Sequence, residues 1–143
     1  MNKLLKRKDY EKWFAEIPAD ICTFCEWRKY QMVIKEGYEW VWIANIAPYW
    51  KRHTLLLPKR HFESYGDMSN GETIELRQIL KFAMEKYEEA GYNRFIHFWR
   101  KRPMDNKQKK VKHFHIHLCD DYDGLWDNIV DKKAVEWDVD IFK

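Results

Sequence analysis

The segment from His113 to Leu118 restricts the fold more than any other part of this 143-residue chain. Histidine alternates there with apolar side chains, in the order His-Phe-His-Ile-His-Leu. Because successive side chains on a β-strand project to opposite faces, the three imidazoles would share one face, with neighbours roughly 6.5–7 Å apart. Phe114, Ile116 and Leu118 would face the core. The pattern predicts a half-buried strand with reactive groups on one side.

The remaining elements are predicted from periodicity, capping residues and turn residues. Ser69-Asn70-Gly71-Glu72 fits a capping box, which starts a long helix that ends near Ala90. A short amphipathic helix is predicted at 3–16, and strands are predicted at 27–35, 39–46, 53–58, 92–99 and 111–118. Five strands with one long helix between the third and the fourth predict an α+β fold on an antiparallel sheet.

Composition favours one globular domain over residues 1–143, with a core at about 20–120 and a tail at 120–143. The chain is 17% aromatic, and a net charge of +3 is too mild to indicate nucleic-acid binding by itself. No apolar run reaches the roughly 18 residues of a membrane helix, and the N-terminus lacks the features of a secretory signal. The three cysteines do not suggest a disulfide framework. We therefore expect a cytoplasmic protein with no membrane segment.

Two clusters carry candidate chemistry. Imidazole can act as a metal ligand, an acid or base, or a nucleophile, and three in a line suit a tetrahedral ion poorly, so we expect divided roles. The second cluster, Cys22-Thr23-Phe24-Cys25, is by itself ambiguous between redox chemistry and zinc. A zinc site needs two further ligands. The candidates are His53, His61, His97 and one histidine of the 113–117 group.

Taken together, these motifs resemble the histidine triad (HIT) superfamily. The alternating strand at 113–118 is similar to its signature. Asn45-Ile46-Ala47-Pro48, followed by the stretch 53–61 that ends Pro-Lys-Arg-His, is similar to its second conserved region. Pro48-Tyr49-Trp50 and the stretch 54–59 also resemble the galactose-1-phosphate uridylyltransferase branch. The resemblance covers roughly residues 20–120 and implies a HIT-like five-stranded antiparallel sheet with one long helix and a short N-terminal helix.

The resemblance also implies roles for individual residues. In zinc-bearing members, the positions of Cys22, Cys25, His61 and His113 bind one structural zinc ion. His115 would be the nucleophile, and His117 would contact a phosphate oxygen or assist the leaving group. Four protein ligands leave no open position on the metal, so it would not generate hydroxide.

Two departures from the family pattern affect substrate binding. Asn45 stands where the family has an acidic residue that binds ribose, and we expect it to bind a hydroxyl without charge. Lys109 and Lys110 replace the usual residues that place amide and hydroxyl donors on phosphate. They belong to a loop, 100–112, with seven basic residues and one acidic residue. We expect these lysines to neutralise phosphate as point charges.

The sequence thus predicts an enzyme, a nucleotide hydrolase or nucleotidyl transferase acting at the α-phosphate through a nucleotidyl-histidine intermediate. The substrate would be a dinucleoside polyphosphate, a nucleoside phosphoramidate or a similar molecule. The alternatives are a non-catalytic zinc module that binds nucleotides or nucleic acid, and a nucleotide-sugar transferase. Nucleic acid is possible as a partner but not favoured. The resemblance also implies a homodimer.

Overall fold

We describe the chain from a computed structural model, which covers residues 4–99, 113–120 and 137–143. The helices are α1 (Arg7–Glu16), α2 (Trp27–Tyr30) and α3 (Asn70–Glu89). The strands are β1 (Met32–Glu36), β2 (Trp40–Ala44), β3 (Thr54–Pro58), β4 (Ile96–Phe98) and β5 (Ile116–Cys119). The strands form one antiparallel sheet in the order β1-β2-β3-β5-β4. The predicted α+β architecture, with one long helix and a short N-terminal helix, is confirmed.

One face of the sheet packs against α3. The helix begins at the predicted capping box, since the Glu72 backbone N–H donates to Ser69 Oγ (3.1 Å) and the Ser69 N–H donates to Glu72 Oε1 (2.8 Å). The apolar stripe of α3 then buries large side chains of the sheet. This core contains Trp40, Trp42, Leu56, Leu76, Ile79, Ala83, Tyr87, Phe114, Ile116 and Leu118.

The opposite face of the sheet is covered by the segment that carries the cysteine pair. Alternation along β2 and β3 sends a second set of apolar side chains to this side. They form a smaller core of Phe24, Trp27, Val41, Ile43, Leu55 and Leu57. His113, His115 and His117 alternate along the chain with Ile116 and Leu118, which face α3. The three histidine side chains therefore belong to the second face of the sheet.

Three predicted strand boundaries were wrong. Residues 27–30 form a helical turn, because Tyr30 and Gln31 donate their N–H groups to Glu26 and Trp27. The predicted strand 92–99 shortens to β4, because the Tyr92 N–H caps α3 at Tyr87 O (2.9 Å). His113 to His115 precede β5, and Phe114 donates instead to Phe62 O (2.6 Å) in the loop after β3. Residues 111 and 112 lie outside the described ranges.

The C-terminal residues return to the core. Val139–Phe142 forms a 3-10 turn, and the Phe142 ring packs 5.2 Å from Trp42 and 4.5 Å from Tyr87. Most of the predicted tail, 121–136, lies outside the described residues. Within the described ranges, every helix is too short or too polar to cross a membrane.

A single carboxylate joins α3 to the β1–β2 turn. The backbone N–H groups of Tyr38, Glu39 and Trp40 donate to the Glu75 carboxylate at 2.9, 2.6 and 2.7 Å. Gly37 permits this approach, since a Cβ there would lie 3.1 Å from Glu75 Oε2. The carboxylate therefore accepts from three consecutive backbone amides at the turn and the first residue of β2.

We expect Glu75→Ala to lower the free energy of unfolding by about 2 kcal/mol, because it removes a charged acceptor from three amides at once. Urea unfolding followed by circular dichroism measures this change. Glu85→Ala is the matched control, since the Glu85 carboxylate forms an exposed pair with Lys81 of the same helix at 3.8 Å. Equal midpoints for the two variants would show that the Glu75 contacts contribute little.

Candidate metal centre and histidine site

Four metal-ligating side chains converge beside the second face of the sheet. Cys22 and Cys25 come from the loop before α2, His61 follows β3, and His113 precedes β5. One ligand atom from each lies within 4.8 Å of all the others. Cys25 Sγ is 3.2 Å from His61 Nδ1 and 3.4 Å from His113 Nδ1, and Cys22 Sγ is 3.6 Å from each Nδ1.

These separations match a tetrahedral metal site. An ion with bonds of about 2.3 Å to sulfur and about 2.0 Å to nitrogen holds its sulfur and nitrogen ligands about 3.5 Å apart. Two thiols and two imidazoles are a donor set that zinc prefers. The four positions predicted from the resemblance therefore lie together, and the cluster could hold a metal ion.

The cysteine loop brings both sulfur atoms to the same point. The Glu26 N–H donates to Cys22 O (3.1 Å), and the Cys25 N–H donates to Cys22 Sγ (3.3 Å). Partial burial, together with the adjacent Cys22 thiol, raises the pKa of the Cys25 thiol to about 12. A bound metal must therefore displace the thiol proton.

His113 is oriented by a backbone carbonyl. Its Nε2 lies 2.6 Å from Pro58 O, so Nε2–H donates to that oxygen and Nδ1 faces the two sulfur atoms. The ring is 1% exposed. Burial lowers the pKa of His113 to about 4, so the ring is neutral near pH 7 and Nδ1 keeps its lone pair.

His115 has a second backbone partner of the same kind. Its Nδ1 lies 2.9 Å from His113 O, so Nδ1–H donates and Nε2 carries the lone pair. The Phe24 ring meets the imidazole edge-on at 5.2 Å. This contact orients the ring, with Nε2 on the side away from the His113 carbonyl.

His117 lies in an aromatic enclosure. Its ring stacks on Phe98 at 4.7 Å with an interplanar angle of 10°, and Trp50 meets it edge-on at 5.9 Å. The His115 and His117 ring centroids are 4.9 Å apart, closer than the strand repeat, because the rings tilt into an edge-to-face contact. His117 Nδ1 is 2.8 Å from Nε2 of His53.

His53, which the sequence offered only as one of several candidate zinc ligands, lies outside the Cys2His2 cluster and beside His117. It is fully buried and contacts Trp50 as well as His117. His53 lies two residues before Leu55 of β3, so its side chain belongs to the same face of the sheet as Leu55, the face away from α3. The strand register pairs Leu55 with His117, which makes His53 the diagonal neighbour of His117. The face of the sheet that His53 occupies could be predicted from the sequence. The register between β3 and β5, which brings His53 to His117, could not.

Of the predicted substrate-binding residues, the structure describes Asn45 but not Lys109 or Lys110. Asn45 lies next to His53, and its Oδ1 accepts from the Ala47 N–H at 3.0 Å. Lys109 and Lys110, with the whole basic loop 100–112, lie outside the described residues. Their proposed contacts with phosphate stay a prediction.

The fold and the site share their main features with one class of protein. These features are an antiparallel sheet backed by one long helix and a histidine strand beside a Cys2His2 cluster. The sequence model of the HIT domain matches residues 27–123, more than half of the chain. The chain therefore belongs to the HIT domain family.

Three relatives illustrate the range of similar proteins. An uncharacterized HIT-like protein of Methanocaldococcus jannaschii is 25% identical over 111 residues, which cover 73% of this chain and 81% of that protein. A zinc-bound histidine triad family protein from Mycobacterium smegmatis superposes with a TM-score of 0.61 at 19% identity, covering 87% of this chain and 89% of that one. An ADP-glucose phosphorylase from Arabidopsis thaliana, solved with ADP-glucose, superposes with a TM-score of 0.64 at 19% identity.

The plant enzyme is much larger than this chain. The match covers 82% of this chain but only 37% of the phosphorylase, and a galt-like protein from the same plant is also covered over only 37% of its length. At these identities the structural matches establish the fold.

Proposed function

We propose that the protein is a nucleotide hydrolase or nucleotidyl transferase that acts at the α-phosphate through a nucleotidyl-histidine intermediate. The observation that carries this proposal is the hydrogen bond from His115 Nδ1 to His113 O, which puts the proton of a neutral imidazole on Nδ1 and the lone pair on Nε2. A histidine held in this tautomer is ready to attack phosphorus. Membership of the HIT family and the nucleotide-sugar enzyme among the structural relatives support the same assignment.

The first step forms a bond from His115 Nε2 to the α-phosphorus. The bond from phosphorus to the leaving group breaks, and the leaving group departs with that electron pair and takes a proton from solvent. In the second step water, or another acceptor hydroxyl, attacks the same phosphorus. The attacking oxygen loses its proton to solvent, the phosphorus–nitrogen bond breaks, its electron pair returns to Nε2, and the nucleotide is released.

His117 is assigned to charge stabilisation in this scheme. Its ring is next to His115, and a ring N–H directed at a phosphoryl oxygen stabilises the negative charge that builds up during transfer. Lys109 and Lys110 are proposed to add positive charge at the phosphates, and Asn45 is proposed to contact the nucleotide.

The metal is proposed to be zinc, held by Cys22, Cys25, His61 and His113. Four protein ligands give zinc a structural role, with no open position for water. The site connects the cysteine loop, the end of β3 and the residues before β5. His113 is two residues from His115, so the ligand set helps to place the nucleophile. A homodimer and a cytoplasmic location stay predictions from the sequence.

The decisive experiment exposes the purified protein separately to a nucleoside phosphoramidate, a dinucleoside polyphosphate and a nucleotide sugar. Intact mass spectrometry after brief mixing detects a covalent adduct, and chromatography quantifies the released nucleotide. We expect release from at least one substrate and a mass gain of one nucleotide that peptide mapping places on His115. A sugar phosphate would be added to each reaction in turn. If it accelerates nucleotide release from the nucleotide sugar and from neither of the other substrates, the transferase alternative would be favoured.

Absence of both adduct and release with all three substrates would contradict the enzymatic proposal. The binding-module alternative would then be tested by salt dependence. Affinity for a nucleic-acid strand falls steeply with salt concentration, whereas affinity for a mononucleotide changes little.

A further inference from the structure

Phe24, an apolar residue between the two cysteines of the candidate metal centre, contacts two of the histidines directly. Its ring centroid lies 5.2 Å from that of His115, with an interplanar angle of 64°, and 6.0 Å from that of His113, with an angle of 88°. Aromatic pairs favour edge-to-face contacts at such separations. One side chain of the cysteine loop therefore touches both a candidate metal ligand and the proposed nucleophile.

The backbone on both sides of Phe24 is anchored. On the N-terminal side, the buried Gln31 side chain donates from Nε2 to the carbonyl oxygen of Thr23 at 3.3 Å, and Thr23 is itself buried. On the C-terminal side, the Cys25 N–H donates to Cys22 Sγ at 3.3 Å. The loop therefore directs the Phe24 ring to a defined place beside the histidines.

The Phe24 ring also belongs to the smaller core on the second face of the sheet. It is 8% exposed, and that core is built mainly from apolar side chains of β2 and β3. His115, by contrast, is only partly buried. Because a close-packed core leaves its side chains little room to move, a ring held by two strands can limit the movement of the imidazole that it contacts.

A metal ion can influence His115 by two routes. The first is the chain itself, since the candidate ligand His113 is two residues away. The second passes through Phe24, whose loop carries the candidate ligands Cys22 and Cys25. An ion that holds both sulfur atoms fixes this short loop and, with it, the position of the Phe24 ring. The two routes predict different results when the ring is removed, because only the second depends on it.

We propose that Phe24 is a positioning residue that couples occupation of the metal centre to the order of the His115 ring. Removal of the metal loosens the cysteine loop and the contact of Phe24 with the imidazole. The His115 ring then samples orientations in which Nε2 does not face the substrate. The consequence for turnover rests on the proposed function, whereas the coupling between the loop and the ring does not.

Nuclear magnetic resonance of protein labelled with ¹³C at histidine Cε1 tests the coupling. Relaxation of this carbon reports ring motion on the picosecond-to-nanosecond timescale, and the His115 signal is assigned by its loss in His115→Ala. The unsubstituted protein and Phe24→Leu are each measured with one equivalent of Zn²⁺ and after a chelator has removed it. Phe24→Leu keeps an apolar side chain in the core but has no ring to meet the imidazole.

In the unsubstituted protein, we expect the His115 ring to be rigid with zinc and clearly more mobile without it. In Phe24→Leu, the ring should be mobile in both states, so that removal of the metal changes its relaxation much less. Such non-additivity is expected of a residue that links two sites. An equal effect of the metal in both proteins would overturn the proposal, because the route through His113 would then be sufficient. A His115 ring that is equally rigid in the two zinc-loaded proteins would also overturn it, and that comparison needs no metal-free chain.

The kinetics of the zinc-loaded protein should show the same role. We expect Phe24→Leu to lower kcat by about 10- to 100-fold with little change in KM, since a misplaced reacting group slows the chemical step more than it weakens substrate binding.

Phe142→Leu is the matched control. Phe142 is a similarly buried phenylalanine, and its ring packs against Trp42 and Tyr87 in the core beneath α3. This substitution should lower the melting temperature and leave both kcat and the His115 relaxation unchanged. A similar loss of kcat in the two variants would show that Phe24 acts only through stability, and would contradict its positioning role.

The two proposals fail separately. If zinc and Phe24 control the His115 ring as expected but no substrate is turned over, the coupling stands and the enzymatic function fails. If His115 turns over a nucleotide while its ring mobility is independent of Phe24, the function stands and the coupling fails. A chain that binds no zinc would contradict the coupling and leave the nucleophile assignment to its own test.

Discussion

Replacing His115 with alanine is expected to abolish nucleotide release, with a loss of at least about 10⁴-fold in turnover number. The variant has no nitrogen to form the bond to phosphorus, and the neighbouring His117 ring is turned toward His53 by its 2.8 Å hydrogen bond. Steady-state assays with the substrate that the unsubstituted protein accepts measure this loss. The covalent adduct should disappear with it.

His115→Ala should leave the fold and the metal content intact. The ring meets Phe24 and His117 edge-on and donates a hydrogen bond to a carbonyl, and it is not among the four candidate ligands. His97→Ala is the matched control, because His97 is an exposed histidine of β4 with the opposite parity to Phe98. Retention of more than a tenth of the activity in His115→Ala would exclude His115 as the nucleophile.

Removal of the metal is expected to lower the melting temperature by roughly 10–20 °C. The reason is that losing a structural metal is among the changes that lower the free energy of unfolding by more than about 4 kcal/mol. The ligands come from three separate segments, so one ion closes long loops of the chain. We expect one zinc per chain by elemental analysis. Cys22→Ser should lose that zinc, and a chelator should reproduce its lower melting temperature.

Cys119→Ala is the matched control for this experiment. Cys119 is buried beside Trp50 and lies outside the cluster. It should retain the full equivalent of zinc whatever its effect on stability. A Cys22→Ser variant with unchanged zinc content and melting temperature would contradict the assignment of the site.

The metal affinity should also depend on pH in a defined direction. Burial raises the pKa of the Cys25 thiol to about 12, so the thiol of the metal-free protein is protonated throughout the neutral range. Metal binding must release that proton, so a lower pH favours the metal-free protein. Competition with a zinc-sensitive dye from pH 6 to pH 8 should show tighter binding at the higher pH. An affinity independent of pH would show that no thiol proton is released.

Local patterns predicted the helices α1 and α3 and the two faces of the histidine strand. The capping box at Ser69 begins α3 as expected, and alternation separates His115 from Ile116 by face. The boundary at 27–30 was wrong because a short apolar run with aromatic residues fits a strand or a helical turn equally well. There the choice was made by burial of Trp27 against the second face of the sheet, which is a contact between distant segments.

The sequence by itself determined the chemistry that this chain carries: three alternating imidazoles, a cysteine pair and a histidine at position 61, at spacings that resemble one family. Their periodicity is a local property, so the chain order is enough to assign a face to each. Only the tertiary structure decided that His53 meets His117, that Asn45 lies against His53, and that Glu75 holds the β1–β2 turn. These contacts depend on strand register and on the docking of separate elements. Both are fixed by the packing of the whole core, which no local pattern encodes.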